Sequence, residues 1–266
     1  HLASFIKSCY RRSEMSMLEL TPDFIKEFAA YLSTEAGLRN GSIWANCMWL
    51  KGVVMKAHYN GLIPRNPFIQ FHISPNVKER EYLTEDELKA VMTHEFADSK
   101  LAYIRDIFIF ASFTALSFVD IQELTNDNIV EVNGEKWILS KRHKTKVAFQ
   151  VKLLDIPLQI VERYRPMQKD NRIFPGLNYW SICKPLKRMI RECGITKSIS
   201  FHCSRHGFAT LALSKGMPIE SVSRVLGHTN IVTTQLYAKI TTQKLDNDLT
   251  MFGDKLSKTF NGITMS

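Results

Sequence analysis

The stretches whose reading decides the fold are SFHCSRHGFAT, residues 200–210, and VLGHTNIVTTQLYAKI, residues 225–240. They place His202, Arg205, His228 and Tyr237 within 36 residues, interleaved with apolar helix-forming residues. A histidine and an arginine three apart lie on one face of a helix. An arginine offers a forked cation that matches phosphate oxygens, and a tyrosine can act as a covalent nucleophile. The combination points to chemistry on a phosphodiester rather than to DNA binding alone.

Upstream of these strings, Asn133–Gly134 stands between IVEV and KWILS. That dipeptide suits a two-residue hairpin turn, which needs positive φ at both central positions. A further strand, VAFQVKL, follows a short basic turn at His143–Lys146. The expectation is a small three-stranded antiparallel sheet within a helical domain. The nearly all-apolar YIRDIFIFASFTAL, residues 103–116, is expected to be a buried helix of that domain. Thr84–Glu87 has the pattern of a capping box opening a helix, so the domain is set at 83–266.

The preceding FHISPNVKEREY is polar, bears a proline and has no apolar period; residues 72–82 are taken as an interdomain linker. Residues 1–71 are expected to be helical. Thr21 and Pro22 suit an N-cap and first turn, with Phe24, Phe28, Tyr31 and Leu32 on one face and Gly37 at the end. A second helix runs through SIWANCMWLKGVVMKAHYNG and stops before Pro64 and Pro67. The chain begins at His1 rather than Met, and upstream sequence is expected to be missing.

The 266 residues can bury one large core or two smaller ones, and a net charge of +9 favours a polyanionic partner. The five cysteines, Cys9, Cys47, Cys183, Cys193 and Cys203, form no CxxC pair. Free thiols in a reducing cytoplasm are therefore expected, without structural zinc. No apolar run approaches the length of a membrane span and no signal peptide is visible, which sets the expectation of a cytoplasmic protein with no membrane partner.

Taken together, the strings resemble the tyrosine recombinases, the lambda-integrase family of site-specific DNA recombinases, over nearly the whole chain. The matches are FTALSFVDIQELT at 113–125, the basic turn with Lys144, HCSRHGFAT at 202–210 and LGHTNIVTTQLY at 226–237, in the family's order. The nearest flavour is that of integrases of bacterial conjugative or mobilizable elements. The resemblance implies a mainly α protein: a helical core-type DNA-binding domain, then an α-rich catalytic domain carrying the small antiparallel sheet. It implies that Tyr237 attacks the scissile phosphate to form a 3′-phosphotyrosyl link, without ATP, metal or other cofactor. Arg205 would clamp non-bridging oxygens and Lys144 would protonate the 5′-oxygen leaving group. His202 would accept a proton or orient the phosphate, and His228 would bond the phosphate and help position Tyr237. Asp120 matches the family's acidic position, and His206 is assigned a structural role.

One position departs from that pattern. The family's first catalytic arginine belongs in TGLR, but this chain has Thr114–Ala115–Leu116–Ser117. A serine supplies no delocalised charge, and loss of one preorganised donor costs about 10²–10³ in rate. Arg142 is the candidate substitute, because an extended strand would turn residues 142 and 144 to one face; the alternative is that Arg142 holds a distant phosphate. Arg105 is the lesser candidate.

Lys184, Lys187, Arg188 and Arg191 recur at helical spacing and could track a DNA backbone or form a solvated face. Lys51 and Lys56 are further candidates for DNA contact. Leu245, Leu249, Phe252, Leu256 and Phe260 outline an amphipathic C-terminal helix weakened by Gly253. It packs on its own domain or docks into a neighbouring protomer, as in the family's homo-tetramer on two double-stranded DNA duplexes. A monomer in free solution and accessory DNA-bending proteins are compatible with that picture. The rival readings are a type IB topoisomerase-like enzyme and a catalytically weakened DNA-binding regulator.

Overall fold

The computed structural model describes residues 1–74, 81–143, 146–168, 170–238 and 242–259. Two units divide the chain, His1–Glu79 and Arg80–Ser266.

In the first unit, helix α1 (Leu2–Tyr10) is followed by α2 (Pro22–Thr34) and α3 (Asn40–Tyr59). The Thr21 hydroxyl accepts the Phe24 N–H at 3.1 Å, and Pro22 occupies a position where no backbone donor is needed. Phe24, Ile25, Phe28 and Leu32 are buried, and Phe5 of α1 sits 5.2 and 5.3 Å from the rings of Phe24 and Phe28. Tyr31, placed on the same face by its spacing, is only partly buried. Ile43, Cys47, Leu50, Val54 and Ala57 give α3 the 4-3-4-3 spacing of a core-facing stripe.

In the second unit, α4 (Glu85–Thr93) starts at a complete capping box: Thr84 Oγ1 accepts the Glu87 N–H and the Glu87 carboxylate accepts the Thr84 N–H. Helix α5 (Ser99–Thr114) carries Ile104, Ile107, Phe108, Phe110 and Ala111 into the core. It ends at Ala115, whose φ of 56° turns the chain sharply away. The five-residue helix α6 (Phe118–Gln122) follows at once, with Ser117 as its N-cap.

Strands β1 (Ile129–Val132), β2 (Glu135–Lys141) and β3 (Ala148–Lys152) form an antiparallel sheet in the order β1-β2-β3. Asn133 and Gly134 have φ of 54° and 77°, the positive pair that a tight hairpin turn requires. Ile138 pairs with Val151, and both side chains enter the core beside Phe149. Next come α7 (Asp155–Tyr164), α8 (Tyr179–Glu192), α9 (His202–Ser214), α10 (Ile219–Leu226), α11 (Val232–Gln235) and α12 (Thr242–Thr259). Helices α4, α7, α8 and α9 pack around α5. Helix α9, which carries the first of the catalytic strings, is thus anchored on a buried column, and α10 packs in turn on α9 and β3.

The structure corrects one premise of the sequence reading. Strand β2 ends at Lys141, so Arg142 lies just beyond the strand rather than within it, and the alternation argument linking it to residue 144 does not hold. Its N–H donates to the Val147 carbonyl and its carbonyl accepts the Lys146 N–H, both at 2.8 Å, which starts a turn. Lys144 lies outside the described residues.

Candidate active site

Phe201 fixes the start of α9. It is 4% exposed, and its ring meets Phe108 and Phe118 edge-on at 6.0 and 5.2 Å. With that end anchored, His202 and Arg205 stand on the first turn and a half of the helix. Arg205 is itself buried. Its Nη1 donates to the Ala115 carbonyl at 2.8 Å and its Nη2 donates to the Leu226 carbonyl. Both carbonyls belong to helix C-terminal ends, where acceptors lack intrahelical donors and the helix dipole is negative. Burial, then repulsion from Arg142, lowers the Arg205 pKa to about 10, so it stays charged at neutral pH.

Arg142 is the second buried cation. Nη1 donates to Asp120 Oδ2 at 2.7 Å, and Nη2 donates to the Val225 carbonyl at 2.5 Å. The guanidinium carbon lies 4.0 Å from the centre of the Phe149 ring, a cation–π contact. The two arginines therefore take consecutive carbonyls, Val225 and Leu226, at the end of α10. The Arg142 Nε–H is buried without an acceptor among the described residues and lies against Gly227.

Asp120 organises this side of the site. Its Oδ2 also accepts from the Ser117 hydroxyl at 2.8 Å, and its Oδ1 accepts the His143 N–H at 3.0 Å. Burial alone would raise its pKa. The His143 N–H, the Arg142 cation and the Ser117 hydroxyl outweigh that and hold it below the usual carboxylate range. The serine at the departing position thus caps α6 and bonds the carboxylate that anchors Arg142. Arg105 stands apart from these bonds, donating to Asp106 and to the His94 carbonyl, each at 2.9 Å.

Gly227, with φ of 62°, ends α10 and turns the chain toward His228. The His228 N–H closes the helix end on the Ser223 carbonyl at 3.0 Å. Its Nδ1 lies 2.8 Å from Thr234 Oγ1. Burial, then Arg205, Arg142 and His202, lower the His228 pKa to about 4, which leaves the ring neutral at pH 7. Tyr237 follows α11 by two residues and is partly buried against the cluster of Ala115, Ala209, Leu213, Val222 and Leu226. The rings of His202 and His206 are 4.8 Å apart, and those of His206 and Tyr237 are 5.0 Å apart. The structure thus gathers His202, Arg205, His228, Tyr237 and Arg142 around the end of α10. Three further residues of this cluster escape the sequence reading as functional groups: His206, between two candidate catalytic rings; Gly227, against Arg142; and Thr234, against His228. Their signal is their place inside the HCSRHG and LGHTNIVTTQLY strings.

Lys184, Lys187 and Arg191 are exposed on α8 and form no ion pair among the described residues. Arg188 differs, because its guanidinium is held by Glu192 at 2.7 Å and by Asp98 at 3.4 Å. Lys56 is exposed on α3 and Lys51 partly so. No group of three or more His, Cys, Asp or Glu side chains among the described residues is arranged to hold a metal ion. No described helix is long and apolar enough to cross a membrane.

The sequence matches the phage integrase family over residues 81–244 and the phage integrase SAM-like domain over residues 1–73. The chain belongs to the phage integrase family. As a tyrosine recombinase of this lambda-integrase group, it is a site-specific DNA recombinase, an enzyme that breaks and rejoins DNA. It is 32% identical over 177 residues to the tyrosine recombinase XerA of Pyrococcus horikoshii, an alignment covering 61% of this chain and 58% of that protein. It is 25% identical over 229 residues to XerC of Lactobacillus leichmannii, covering 80% and 77% of the two chains. Among solved structures, the integrase of transposon Tn1549 (residues 82–397, in complex with circular intermediate DNA) superposes with a TM-score of 0.74 at 18% identity, covering 90% of this chain and 88% of that one. The lambda integrase dimer (residues 75–356) bound to a COC′ core site gives 0.68 at 18% identity, covering 88% and 85%. The recombinase fold, mainly helical with one small antiparallel sheet, is common to them.

Proposed function

We propose that this recombinase cleaves double-stranded DNA with Tyr237 as nucleophile and with Arg205 and Arg142 as paired cations on the scissile phosphate. The tyrosyl oxygen attacks phosphorus, the bond from phosphorus to the 5′-oxygen breaks, and a 3′-phosphotyrosyl ester forms. The tyrosyl proton passes to a base, for which His202 is the candidate. Lys144 returns a proton to the departing 5′-oxygen. A second 5′-hydroxyl then attacks the ester, restoring the phosphodiester and freeing Tyr237. His228 donates a hydrogen bond to the phosphate.

The observation that carries this reading is the pairing of Arg142 and Arg205 on consecutive carbonyls, Val225 and Leu226, beside His228. Preorganised cations in a low-dielectric site stabilise charge that develops in a transition state without reorganising at that moment. Arg142 thereby brings charge to the side of the site whose first arginine is replaced by Ser117, which weighs against a weakened regulator. The orphaned Nε–H of Arg142 supports an unfilled bonding capacity there.

We assign core-type DNA binding to the helical unit of residues 1–71, a linker role to 72–82 and catalysis to 83–266. Lys184, Lys187 and Arg191, with Lys51 and Lys56, supply phosphate contacts. Leu245, Leu249, Phe252 and Leu256 of α12 are 50, 59, 58 and 39% exposed. That uncovered stripe supports docking of α12 into a neighbouring protomer of a tetramer on two duplexes, rather than packing on its own unit. The setting is a mobile element in a bacterial cytoplasm, with DNA-bending proteins as accessory partners.

The test is a nicked suicide substrate that traps the covalent intermediate. The natural chain gives a protein–DNA adduct at Tyr237. Tyr237→Phe keeps the ring and its packing, binds DNA with unchanged affinity and gives no adduct. An adduct formed by Tyr237→Phe would end this assignment.

A further inference from the structure

Thr234 is fully buried, with 0% of its surface exposed, although it sits in a polar TTQ string beside an exposed Thr233. Its hydroxyl has one hydrogen-bond partner among the described residues, His228 Nδ1 at 2.8 Å. A buried hydroxyl has one hydrogen to donate and no water to receive it, so leaving that hydrogen unbonded is costly. If Nδ1 carried a proton, it would point at the Thr234 oxygen and the hydroxyl hydrogen would have no acceptor. With Nδ1 bare, the hydroxyl donates into it and both groups are satisfied. The ring proton then sits on Nε2.

We infer that Thr234 is a positioning residue that locks His228 in its Nε2–H form, so that the imidazole presents a donor rather than an acceptor to the scissile phosphate. The inference rests on the proposed role of His228. The second nitrogen of a working histidine commonly sets which tautomer is present. The choice matters here because His228 is neutral at pH 7: burial and the facing groups Arg205, Arg142 and His202 disfavour its charged form. A charged ring would donate from both nitrogens; a neutral one donates from whichever nitrogen its partner leaves protonated.

The same bond links the histidine to the nucleophile's segment. Thr234 lies on α11, and its carbonyl accepts the Tyr237 N–H at 3.0 Å. A single residue therefore holds the imidazole through its side chain and the turn bearing Tyr237 through its backbone. If α11 shifts as DNA enters, the hydrogen bond ties the orientation of His228 to that movement.

The test combines a spectrum and a mutant cycle. In the DNA-free natural chain with 15N-labelled histidine, the His228 signals, identified by their loss in His228→Gln, are expected to show a bare Nδ1 and a protonated Nε2. A protonated Nδ1 overturns the inference without requiring any Thr234 variant to fold. In single-turnover cleavage on a suicide substrate, Thr234→Val, near-isosteric but lacking the hydroxyl, is expected to lose about 10- to 100-fold in rate. That is the range found when the orienting partner of a metal-bound histidine is removed. Thr234→Ser, which keeps the hydroxyl, recovers the rate lost in Thr234→Val. In the His228→Ala background, Thr234→Val is expected to cost nothing further, because it acts through the imidazole. An undiminished penalty in that background overturns the inference. Loss of rate in His228→Ala with none in Thr234→Val also overturns it and leaves the role of His228 standing. An unchanged rate in His228→Ala overturns the reading of the site and the inference together.

Discussion

Gly227 lies against Arg142 so closely that a Cβ built on the glycine would stand 2.9 Å from the arginine Nε and 3.1 Å from its Cγ. The backbone there also has φ of 62°, a conformation that side-chain-bearing residues rarely adopt. Gly227→Ala therefore meets two penalties, strain at a helix end and displacement of the Arg142 side chain. Its expected destabilisation is about 1–2 kcal/mol, and its expected loss of cleavage rate is about 10²-fold, as for a missing transition-state donor. Thermal melting and single-turnover cleavage measure the two effects separately.

Arg142→Ala tests the substitution more directly. At saturating protein it is expected to slow cleavage by about 10²-fold or more, with little loss of binding. A phosphate anchor would instead lose affinity with a shallower salt dependence and keep its bound-state rate. The variant also leaves the buried Asp120 carboxylate without its cation, which is expected to cost about 3–5 kcal/mol, so melting is recorded alongside. Ser117→Arg in the Arg142→Ala background is expected to recover part of the rate. An unaltered bound-state rate in Arg142→Ala would falsify its catalytic role.

On α8 the four basic residues are not equivalent. Removing Lys184, Lys187 or Arg191 is expected to lower the slope of log K against log salt by about 1 each. Arg188→Ala is expected to change it less, because its guanidinium already serves Glu192 and Asp98. Binding titrations at several salt concentrations give the four slopes. Equal slopes would show that the ion pairs of Arg188 open on DNA.

The pH dependence of the DNA-free protein follows from His228. Its pKa is lowered from 6.5 to about 4, chiefly by burial and then by the neighbouring arginines. The unfolded chain thus takes up the proton more readily than the folded one. The stabilising contribution is complete above about pH 6.5 and is lost as pH falls through 4. Melting temperature is expected to decline across that window, and His228→Gln is expected to flatten the decline. The lowered pKa of Asp120 acts in the same direction but below the ordinary carboxylate range.

Local chemistry makes much of the fold legible in the sequence. Thr21–Pro22, the Thr84–Glu87 box and Asn133–Gly134 each specify their geometry with groups a few residues apart, and those elements form where the pattern puts them. The catalytic strings are legible for a different reason, since their spacing matches a known family. The placement of Arg142 is less so. The alternation argument singles out Arg142 for a reason that fails, because β2 ends one residue earlier. What brings Arg142 to the site is its bonding to Asp120, 22 residues away in sequence, and to the Val225 carbonyl, 83 residues away. No local pattern encodes such a contact. The role of Thr234 is hidden for a similar reason: a threonine near a helix start usually caps or faces water, and its burial against His228 depends on how α10 and α11 meet.

The bonds among Ser117, Asp120 and Arg142 have an evolutionary corollary. The Asp120 carboxylate is shared by Ser117 and Arg142. An arginine introduced at 117 while Arg142 remains would set a second cation on Asp120 beside Arg142 and remove the serine cap of α6, which is worth about 1 kcal/mol. Loss of Arg142 while Ser117 remains would strand the carboxylate. Each single step is disfavoured and the double step is tolerated, so the two ways of supplying this charge are separated by a valley. Positions 117 and 142 should therefore change together across descent, and a homologue bearing arginine at the first should rarely keep one at the second.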